Sequence, residues 1–306
     1  MNPSKIAIIG AGAVGATTAY AAAIRNVAAE IVLIDVNEKK EEGEVMDIRD
    51  GICLMETGCI KRGDFKDAAD ADIIIITAGL AQKPGETRLD LVNKNKEILK
   101  SIFKGIGKIK SSAIVIMVAN PVDVLTYLAQ KISGLPKNQV FGSGTTLDTA
   151  RLKAEIGKRL KVSPQSIHGY VLGEHGDTEF VAWSTVTVGG MPLTKMKKLN
   201  AKDYKDIEEK VRKEAYEIIS RKGATFFGIA LVLADLVEAV LYNQHKILPI
   251  SSHITNWNGI GDVCLGAPTV IGRNGVESVW PVELSSDEKK KLKKSAKTLK
   301  SYLKTL

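Results

Sequence analysis

Cysteine, aromatic residues and long apolar runs are all scarce in this chain of 306 residues. The three cysteines form neither a C-x-x-C pair nor a zinc-ligand spacing, so we expect no disulfide framework and no metal site. Aromatic residues make up 5% of the chain and do not alternate with basic residues. Despite the net charge of +8, a nucleic-acid-binding protein is therefore not expected.

Two apolar stretches resemble membrane segments at first inspection. Residues 6–24 are nearly all small or apolar, which is also seen in signal peptides and membrane spans. Their three glycines are instead typical of a phosphate-binding turn, and no cleavage region follows. Residues 226–242 are interrupted by Asp235 and Glu238, which predicts a buried helix. We therefore expect a cytoplasmic protein without a membrane partner.

The beginning of the chain predicts a β–α–β unit. Residues 6–9 and 31–34 are short apolar runs rich in β-branched residues, which is typical of buried parallel strands. Between them, the Ala-rich residues 16–24 predict a helix packed close to a sheet. This is the unit in which a dinucleotide is commonly bound.

A G-x-G-x-x-G sequence joins the first predicted strand to the helix. Gly10 permits a sharp turn, Gly12 lets a pyrophosphate approach the backbone, and Gly15 allows close helix–strand packing. Asp35 follows the second strand, where its carboxylate can accept hydrogen bonds from both ribose hydroxyls. The same charge would repel the 2′-phosphate of NADP, so we predict NAD as the cofactor.

The alternation continues through the first half and predicts a Rossmann-type doubly wound parallel sheet over residues 1–143. The further predicted elements are helices at 37–50, 89–106 and 122–133 and strands at 73–76, 113–118 and 140–142. Ligands of such sheets bind beyond the carboxyl ends of the strands.

Residues 144–306 change character and predict a second, α+β domain that binds the substrate. The predicted helices span 146–161, 201–222, 226–242 and 286–304, and the predicted strands span 167–172, 180–188, 247–254, 263–265, 269–271 and 276–282. The last helix is rich in lysine, which is typical of a solvated helix face.

The densest polar cluster is the sequence G-E-H-G-D at residues 173–177. His175 lies there between glycines in a predicted loop, and histidine is well suited to exchange a proton near neutral pH. Asp148 and Arg151 are three residues apart on a predicted helix and so share one face. They form either a routine ion pair or a functional pair. In the second case Asp148 orients His175, and Arg151 binds a substrate carboxylate through two parallel hydrogen bonds.

A loop at residues 79–88 follows a buried strand, contains glycine and proline, and ends in a cation, Arg88. This composition suits a lid that closes over a substrate. A solvated loop between a strand and a helix remains the alternative.

The sequences G-E-H-G-D, L-D-T-A-R and Q-K-P-G-E-T-R, together with the glycine loop, resemble the L-lactate/malate dehydrogenase family. The resemblance covers nearly the whole chain and is strongest to the bacterial-type L-lactate dehydrogenases. It implies that His175 donates and accepts the proton, paired with Asp148, and that Arg88 polarises the substrate carbonyl. The implied substrate contacts are Gln82, Arg88, Asn120, Arg151 and Thr225. The implied cofactor contacts are Gly10, Gly12, Ala13, Val14, Gly15, Asp35, Thr77, Ala78, Gly79, Asn95, Val118, Asn120 and Ile229.

Gln82 carries the expected choice of substrate. Malate enzymes of the family place an arginine at this position, where it pairs with the second carboxylate of oxaloacetate. Because Gln82 is neutral, a dicarboxylate would bring an unpaired charge into a dry pocket, so pyruvate and L-lactate are expected. Malate dehydrogenase, a hydroxyisocaproate-type enzyme for larger 2-oxo acids and a non-catalytic NAD-binding scaffold remain as alternatives.

The resemblance also implies a homo-oligomer, commonly a tetramer and sometimes a dimer. Many bacterial relatives bind fructose 1,6-bisphosphate between subunits through a histidine and an arginine. His168 matches the first, whereas Lys153 stands at the second and cannot make the planar bidentate contact. Activation by the bisphosphate is therefore left open.

Overall fold

The computed structural model describes residues 4–56, 58–80 and 88–304. Among these residues, the first half of the chain forms six parallel strands that alternate with helices. The strands are β1 (Lys5–Ile9), β2 (Glu30–Ile34), β3 (Cys59–Arg62), β4 (Ile73–Ile76), β5 (Ile114–Met117) and β6 (Val140–Gly142). The helices are α1 (Ala13–Ile24), α2 (Glu38–Asp50), α3 (Arg88–Ile106) and α4 (Val122–Ile132).

The six parallel strands lie in the order β3-β2-β1-β4-β5-β6. The direction of winding reverses between β1 and β4, and a crevice for ligands opens at such a switch point, beyond the carboxyl ends of the strands. The prediction of a Rossmann-type sheet is confirmed. β3 was missed because its sequence C-I-K-R buries only Ile60, so neither alternation nor an apolar run marks it as a strand.

The described residues of the second half form further helices, five short strand pieces and, at the end of the sheet, three longer strands. The helices are α5 (Thr146–Leu160), α6 (Leu193–Met196), α7 (Ala201–Lys222), α8 (Phe227–Leu241) and α9 (Ser286–Leu303). The strands are β7 (Ile167–His168), β8 (Val171–Leu172), β9 (Phe180–Val181), β10 (Thr187–Val188), β11 (Met191–Pro192), β12 (Lys246–Ile254), β13 (Val263–Gly272) and β14 (Gly275–Val279).

Two of the predicted strands in the second half were wrong. Residues 167–172 do not form one strand, because Gly169 at φ +150° separates β7 from β8, which belong to different small sheets. Residues 180–188 are broken as well, since a 3₁₀ turn at Trp183–Thr185 separates β9 from β10. These short pieces frame the G-E-H-G-D loop.

A third error joins two predictions into one strand. Residues 263–265 and 269–271 both belong to β13, which runs without a break through Gly266 and Pro268. Pro268 lies opposite Pro249 of β12, so the two residues that lack an N–H donor face each other in the sheet.

The strands β12, β13 and β14 continue the sheet of the first half. Ser251 of β12 pairs antiparallel with Gly142 of β6, and among the described residues the sheet has nine strands. Its two faces are buried by different helices. Ile74 and Ile76 face a core that includes residues of α3 and α4, whereas Ile73 and Ile75 face a core that includes residues of α1 and α8. A helix of the second half thus helps to cover the sheet of the first. In the described parts of the chain, every helix is too short or too polar to cross a membrane.

Candidate active site

The glycine loop makes the tight turn that its sequence predicts. Gly10 has φ +108°, a conformation that side chains disfavour, and its N–H donates to Ile34 O at 2.7 Å. Thr77, at the end of β4, donates from Oγ1 to Gly10 O at 3.0 Å. A Cβ on Gly15 would lie 1.7 Å from Gly10 O, so only glycine lets α1 begin this close to the turn. The first turn of α1 is therefore fixed at the switch point of the sheet.

A cleft of about 380 Å³ opens beside this turn. A Cβ on Gly12 would meet no atom within 4 Å, so the backbone there is open to a group as large as a pyrophosphate. Asp35 lines the same cleft, and its carboxylate accepts from Ala11 N at 2.6 Å and from Asn37 N at 2.8 Å. Two backbone bonds orient this carboxylate beside the cleft, where the remaining lone pairs of its oxygens can meet ribose hydroxyls. The cleft therefore fits a dinucleotide.

Asn95 of α3 joins two loops at this edge. Its Oδ1 accepts from Leu80 N at 2.8 Å, and its Nδ2 donates to Asn120 O at 2.7 Å. The side chain is buried. The structure thus shows Asn95 bracing the loops after β4 and β5, and its contact with the cofactor stays a prediction.

His175, Asp148 and Arg151 meet where the G-E-H-G-D loop passes α5. His175 Nδ1 lies 2.7 Å from Asp148 Oδ2, and Arg151 Nη1 donates to Asp148 Oδ1 at 2.8 Å. Each oxygen of one carboxylate therefore orients a different side chain. The Asp148 side chain is only 3% exposed, whereas that of His175 keeps 27% of its surface open, so a substrate can reach the imidazole.

Electrostatics favour the charged form of His175. Burial by itself would lower its pKa, but the charge of Asp148 and the bond to it outweigh burial and raise the pKa to about 9. Burial likewise acts to raise the pKa of Asp148, yet His175 and Arg151 hold it below its usual value. The site therefore pairs an imidazolium with a carboxylate near neutral pH.

Sequence reasoning missed Glu179, which belongs to the same cluster. A carboxylate oxygen of Asp148, a ring nitrogen of His175 and a carboxylate oxygen of Glu179 lie within 4.8 Å of one another. Burial, followed by the charge of Asp148, raises the pKa of Glu179 to about 8, so this carboxyl is largely neutral at pH 7. Glu179 lies only four residues after His175, which could have drawn attention to it. No sequence motif around it indicates that this glutamate is buried.

The other sequence-predicted residues lie in different surroundings, and Ala78 and Gly79 line the cleft. Val14, Val118 and Ile229 are half-buried and pack against the core on the α1 side of the sheet, whereas Asn120 is exposed at the end of β5. Thr225 is half-buried just before α8. Ala13, Ala78 and Gly79 lie on the cofactor edge of the sheet, in α1 and after β4.

Four predictions concern residues of which the structure says less. Gln82 lies outside the described residues, and so does the side chain of Arg88, whose backbone begins α3. Lys153 lies on α5, where burial lowers the pKa of its ammonium, and His168 is exposed on β7. A bisphosphate site at these two residues stays a prediction.

Comparison with known proteins decides the family. Residues 4–142 match the lactate/malate dehydrogenase NAD binding domain, and residues 145–306 match the lactate/malate dehydrogenase α/β C-terminal domain. The chain belongs to the lactate/malate dehydrogenase family. NAD is therefore the cofactor, as the sequence predicts.

Individual relatives cover nearly the full length of the chain. It is 48% identical to an L-lactate dehydrogenase of Clostridium botulinum, over 99% of this chain and 96% of that protein. It is 45% identical to an L-lactate dehydrogenase of Acetivibrio thermocellus, over 99% of this chain and 97% of that protein. The solved structure of a minor L-lactate dehydrogenase from Enterococcus mundtii, in a ligands-bound form, superposes with a TM-score of 0.96 at 42% identity, covering 99% of this chain and 98% of that chain.

Proposed function

We propose that this protein is an NAD-dependent L-lactate dehydrogenase that reduces pyruvate to L-lactate and runs in reverse. The observation that carries the proposal is the Asp148 carboxylate, which holds His175 at 2.7 Å and Arg151 at 2.8 Å. Reduction of a 2-oxo acid requires a proton donor for its carbonyl oxygen and a cation that binds its carboxylate, and His175 and Arg151 are the residue types that supply them. The names of the relatives agree with this activity.

The chain's own residues supply binding and proton transfer. When bound, NADH supplies the hydride that reduces the carbonyl carbon. Arg151 is bound to Asp148 through Nη1, which leaves its other N–H donors for the substrate carboxylate. Negative charge develops on the carbonyl oxygen as hydride arrives, and imidazolium at His175 stabilises that charge and donates its proton. Asp148 keeps the Nδ1 side of the ring occupied, so Nε2 is the nitrogen that faces the substrate.

The direction of reaction depends on the protonation of His175. Reduction of pyruvate requires imidazolium, whereas oxidation of lactate requires neutral imidazole. Because its pKa is raised to about 9, most of the free enzyme near pH 7 is ready to bind the 2-oxo acid. We therefore propose opposite pH dependences for the two directions.

Pyruvate is proposed over oxaloacetate because Gln82 carries no charge. A second substrate carboxylate would be left unpaired in a site closed to water, at a cost of several kcal/mol (about 3–5 when a buried charge loses its partner). The methyl group of pyruvate brings no such charge. A bulkier 2-oxo acid is the next candidate.

The test is the initial rate of NADH oxidation with pyruvate, oxaloacetate and 2-oxoisocaproate, at matched concentrations near pH 7. We expect pyruvate to be strongly preferred. Preference for oxaloacetate would keep the roles of His175 and Asp148 but contradict the selection by Gln82. No oxidation with any of the three, while NADH still binds, would favour the non-catalytic scaffold.

The variant Gln82→Arg tests directly whether Gln82 determines the choice between pyruvate and oxaloacetate. It should raise the ratio of kcat/KM for oxaloacetate over pyruvate by about tenfold or more, the worth of one charge-assisted contact. Gln165→Arg adds the same charge at an exposed position outside the site and serves as the matched control. An unchanged ratio in Gln82→Arg would show that another residue selects the substrate.

We also propose that the enzyme works as a homotetramer in the cytoplasm. Support for self-association comes from large apolar side chains that are exposed on α1, on α8 and after α2, among them Tyr20, Ile24, Leu54, Phe227 and Leu231. All three cysteines are free thiols, which suits a reducing compartment. Analytical ultracentrifugation should give the mass of four chains, and a monomer at assay concentration would contradict the proposal.

Regulation by fructose 1,6-bisphosphate is tested in the same assay. We propose that the bisphosphate binds between subunits at His168 and Lys153 and lowers the KM for pyruvate. Lys153→Ala should abolish the effect, whereas Lys158→Ala, five residues further along α5, should not. No response in the unaltered enzyme would remove this part of the proposal.

A further inference from the structure

The segment that carries His175 is fixed to the fold through three consecutive backbone N–H groups. That of Gly173 donates to a carbonyl of β13 at 2.9 Å. That of Glu174 donates to Ser295 Oγ on α9 at 2.6 Å, and that of His175 donates to Asp123 Oδ2 on α4 at 2.8 Å. Three different elements therefore set the position of one short loop.

Asp123 differs from the other two acceptors because it is ionisable and buried. It lies in the first turn of α4, which begins directly after the Asn120 loop. Its second oxygen, Oδ1, accepts from Ser251 Oγ on β12 at 2.6 Å, and Ser251 is also buried. One carboxylate thus ties the start of α4, the central sheet and the His175 loop together.

The same carboxylate links the two ligand-binding parts of the molecule. Asn95 holds the backbone of Asn120 at 2.7 Å, and three residues after Asn120 the Asp123 side chain holds the backbone of His175. The Asn120 loop, which carries an expected substrate contact, and the proton donor are therefore connected by one side-chain bond and a short piece of chain. A displacement of about 1 Å at such a point can cost ~100-fold in rate.

We propose that Asp123 is a positioning residue of the hydride-transfer site, which holds the His175 backbone against the Asn120 loop and lends its charge to the protonated imidazole. This inference rests on the proposed function. Asp123 is proposed to act through His175 and to contact neither substrate nor cofactor. Burying a carboxylate costs desolvation free energy. A role in joining two loops of the reaction site accounts for its presence at this position.

Several charges act on this carboxylate and must be considered in any test by pH. Burial raises the pKa of Asp123 to about 6, opposed by the bonds from Ser251 and from the backbone of His175. The His175 ring lowers the pKa of Asp123 further and Glu174 raises it. Cys264 on β13 is buried nearby, and burial together with the charge of Asp123 raises the pKa of its thiol. Above pH 7 Asp123 is therefore charged and faces a histidine that it helps to keep protonated.

The decisive variant is Asp123→Asn, which preserves shape and one acceptor oxygen but removes the charge. We expect kcat for pyruvate reduction to fall about 10- to 100-fold with a smaller change in KM for NADH. We also expect the alkaline fall of kcat/KM to move to lower pH, because Asp123 contributes to the raised pKa of His175. A purely structural role would lower thermal stability without moving the pH profile.

Glu288→Gln is the matched control. Glu288 is also a buried carboxylate that accepts from the N–H and the hydroxyl of Ser184, at 3.0 Å and 2.6 Å, and from the N–H of Ser285 at 2.7 Å, and none of these donors belongs to the His175 loop. It should match Asp123→Asn in loss of stability and leave the pH profile in place. Equal kcat and equal pH profiles for the two variants would overturn the proposal.

Ser251→Ala keeps the test decisive if Asp123→Asn does not fold. Loss of the Ser251 hydroxyl removes a bond that lowers the pKa of Asp123. The pKa of Asp123 lies well below 9, so the carboxylate keeps its charge where His175 titrates, and the alkaline limb of the pH profile should stay in place. Loss of one of the two bonds that hold the carboxylate should lower kcat by less than Asp123→Asn does, and an unchanged kcat would contradict the positioning role.

A direct titration separates this inference from the proposed function. The chain has four histidines, so the imidazole resonances of the unliganded protein can be assigned by single substitutions and followed with pH by NMR. His175 should titrate at lower pH in Asp123→Asn than in the unaltered protein. This result would support the inference even if pyruvate proved not to be the substrate, and equal titration curves would refute it even in an active enzyme.

Discussion

The first half and the second half of this protein place their polar groups by different means. Asp35, Thr77 and Asn120 each follow a parallel strand, so the regular sheet gathers them at one edge. His175 and Asp148 lie 27 residues apart, on a loop and a helix, and meet through a single 2.7 Å contact. The first arrangement follows from strand order, whereas the second depends on side-chain and backbone bonds that hold irregular chain.

Because of this difference, substitutions in the two halves should impair different properties of the protein. A change in the glycine turn should affect folding or cofactor affinity, because the sheet itself builds that site. A change around His175 should affect turnover or substrate binding while the sheet stays intact. The following four predictions probe that distinction.

The largest effect is expected for His175→Asn. Loss of the general acid–base group should lower kcat by about 10²- to 10⁴-fold with little change in KM for NADH. His245→Asn is the control, because His245 is an exposed histidine that pairs with Glu277 at 2.8 Å away from the cluster. Turnover within a few-fold of the unaltered enzyme would show that another group moves the proton.

Arg151→Lys should act mainly on substrate binding. Lysine keeps the charge but cannot make the planar two-bond contact, so KM for pyruvate should rise about 10- to 100-fold, the worth of one charge-assisted bond. Arg159→Lys changes the same residue type on the same helix, where Arg159 bonds Glu155 and Asp203. If both variants show the same KM, Arg151 does not anchor the substrate.

The glycine turn allows a paired comparison within the first half. Gly15→Ala places a Cβ 1.7 Å from Gly10 O and should destabilise the fold by at least ~2 kcal/mol, measured by urea unfolding. Gly12→Ala meets no protein atom within 4 Å, so stability should be unchanged while KM for NADH rises about tenfold. An unchanged KM in Gly12→Ala would mean that the pyrophosphate does not approach this backbone.

The smallest effect is the pH dependence of the unaltered enzyme. Imidazolium is the competent form for pyruvate reduction, and the raised pKa of His175 is about 9. The value of kcat/KM should therefore be nearly constant from pH 7 to 8 and fall to half near pH 9. For lactate oxidation it should rise over the same range. Parallel curves for the two directions would contradict the assigned proton donor.

Prediction from sequence succeeded where one physical rule dominates. Residues 73–76 are all buried, and such a short apolar run is typical of a parallel strand covered on both faces, so its position and its boundaries were predicted correctly. β3 and the pieces around residues 167–188 were not, because they bury few residues and are held by partners distant in the chain. The same reason hid Glu179 and Asp123, whose burial no local pattern reveals.

The sequence by itself determined the β–α–β unit with its glycine turn, the carboxylate that follows its second strand, and the residue types of the candidate reaction site. These depend on local conformation and on chemistry carried by single side chains. Only the tertiary structure decided that β12, β13 and β14 extend the parallel sheet and that one carboxylate, Asp148, orients both His175 and Arg151. It also decided that Asp123 holds the His175 loop to the start of α4. Contacts of this kind join residues remote in sequence, and the free energy that selects them comes from burial, which exists only once the chain has folded.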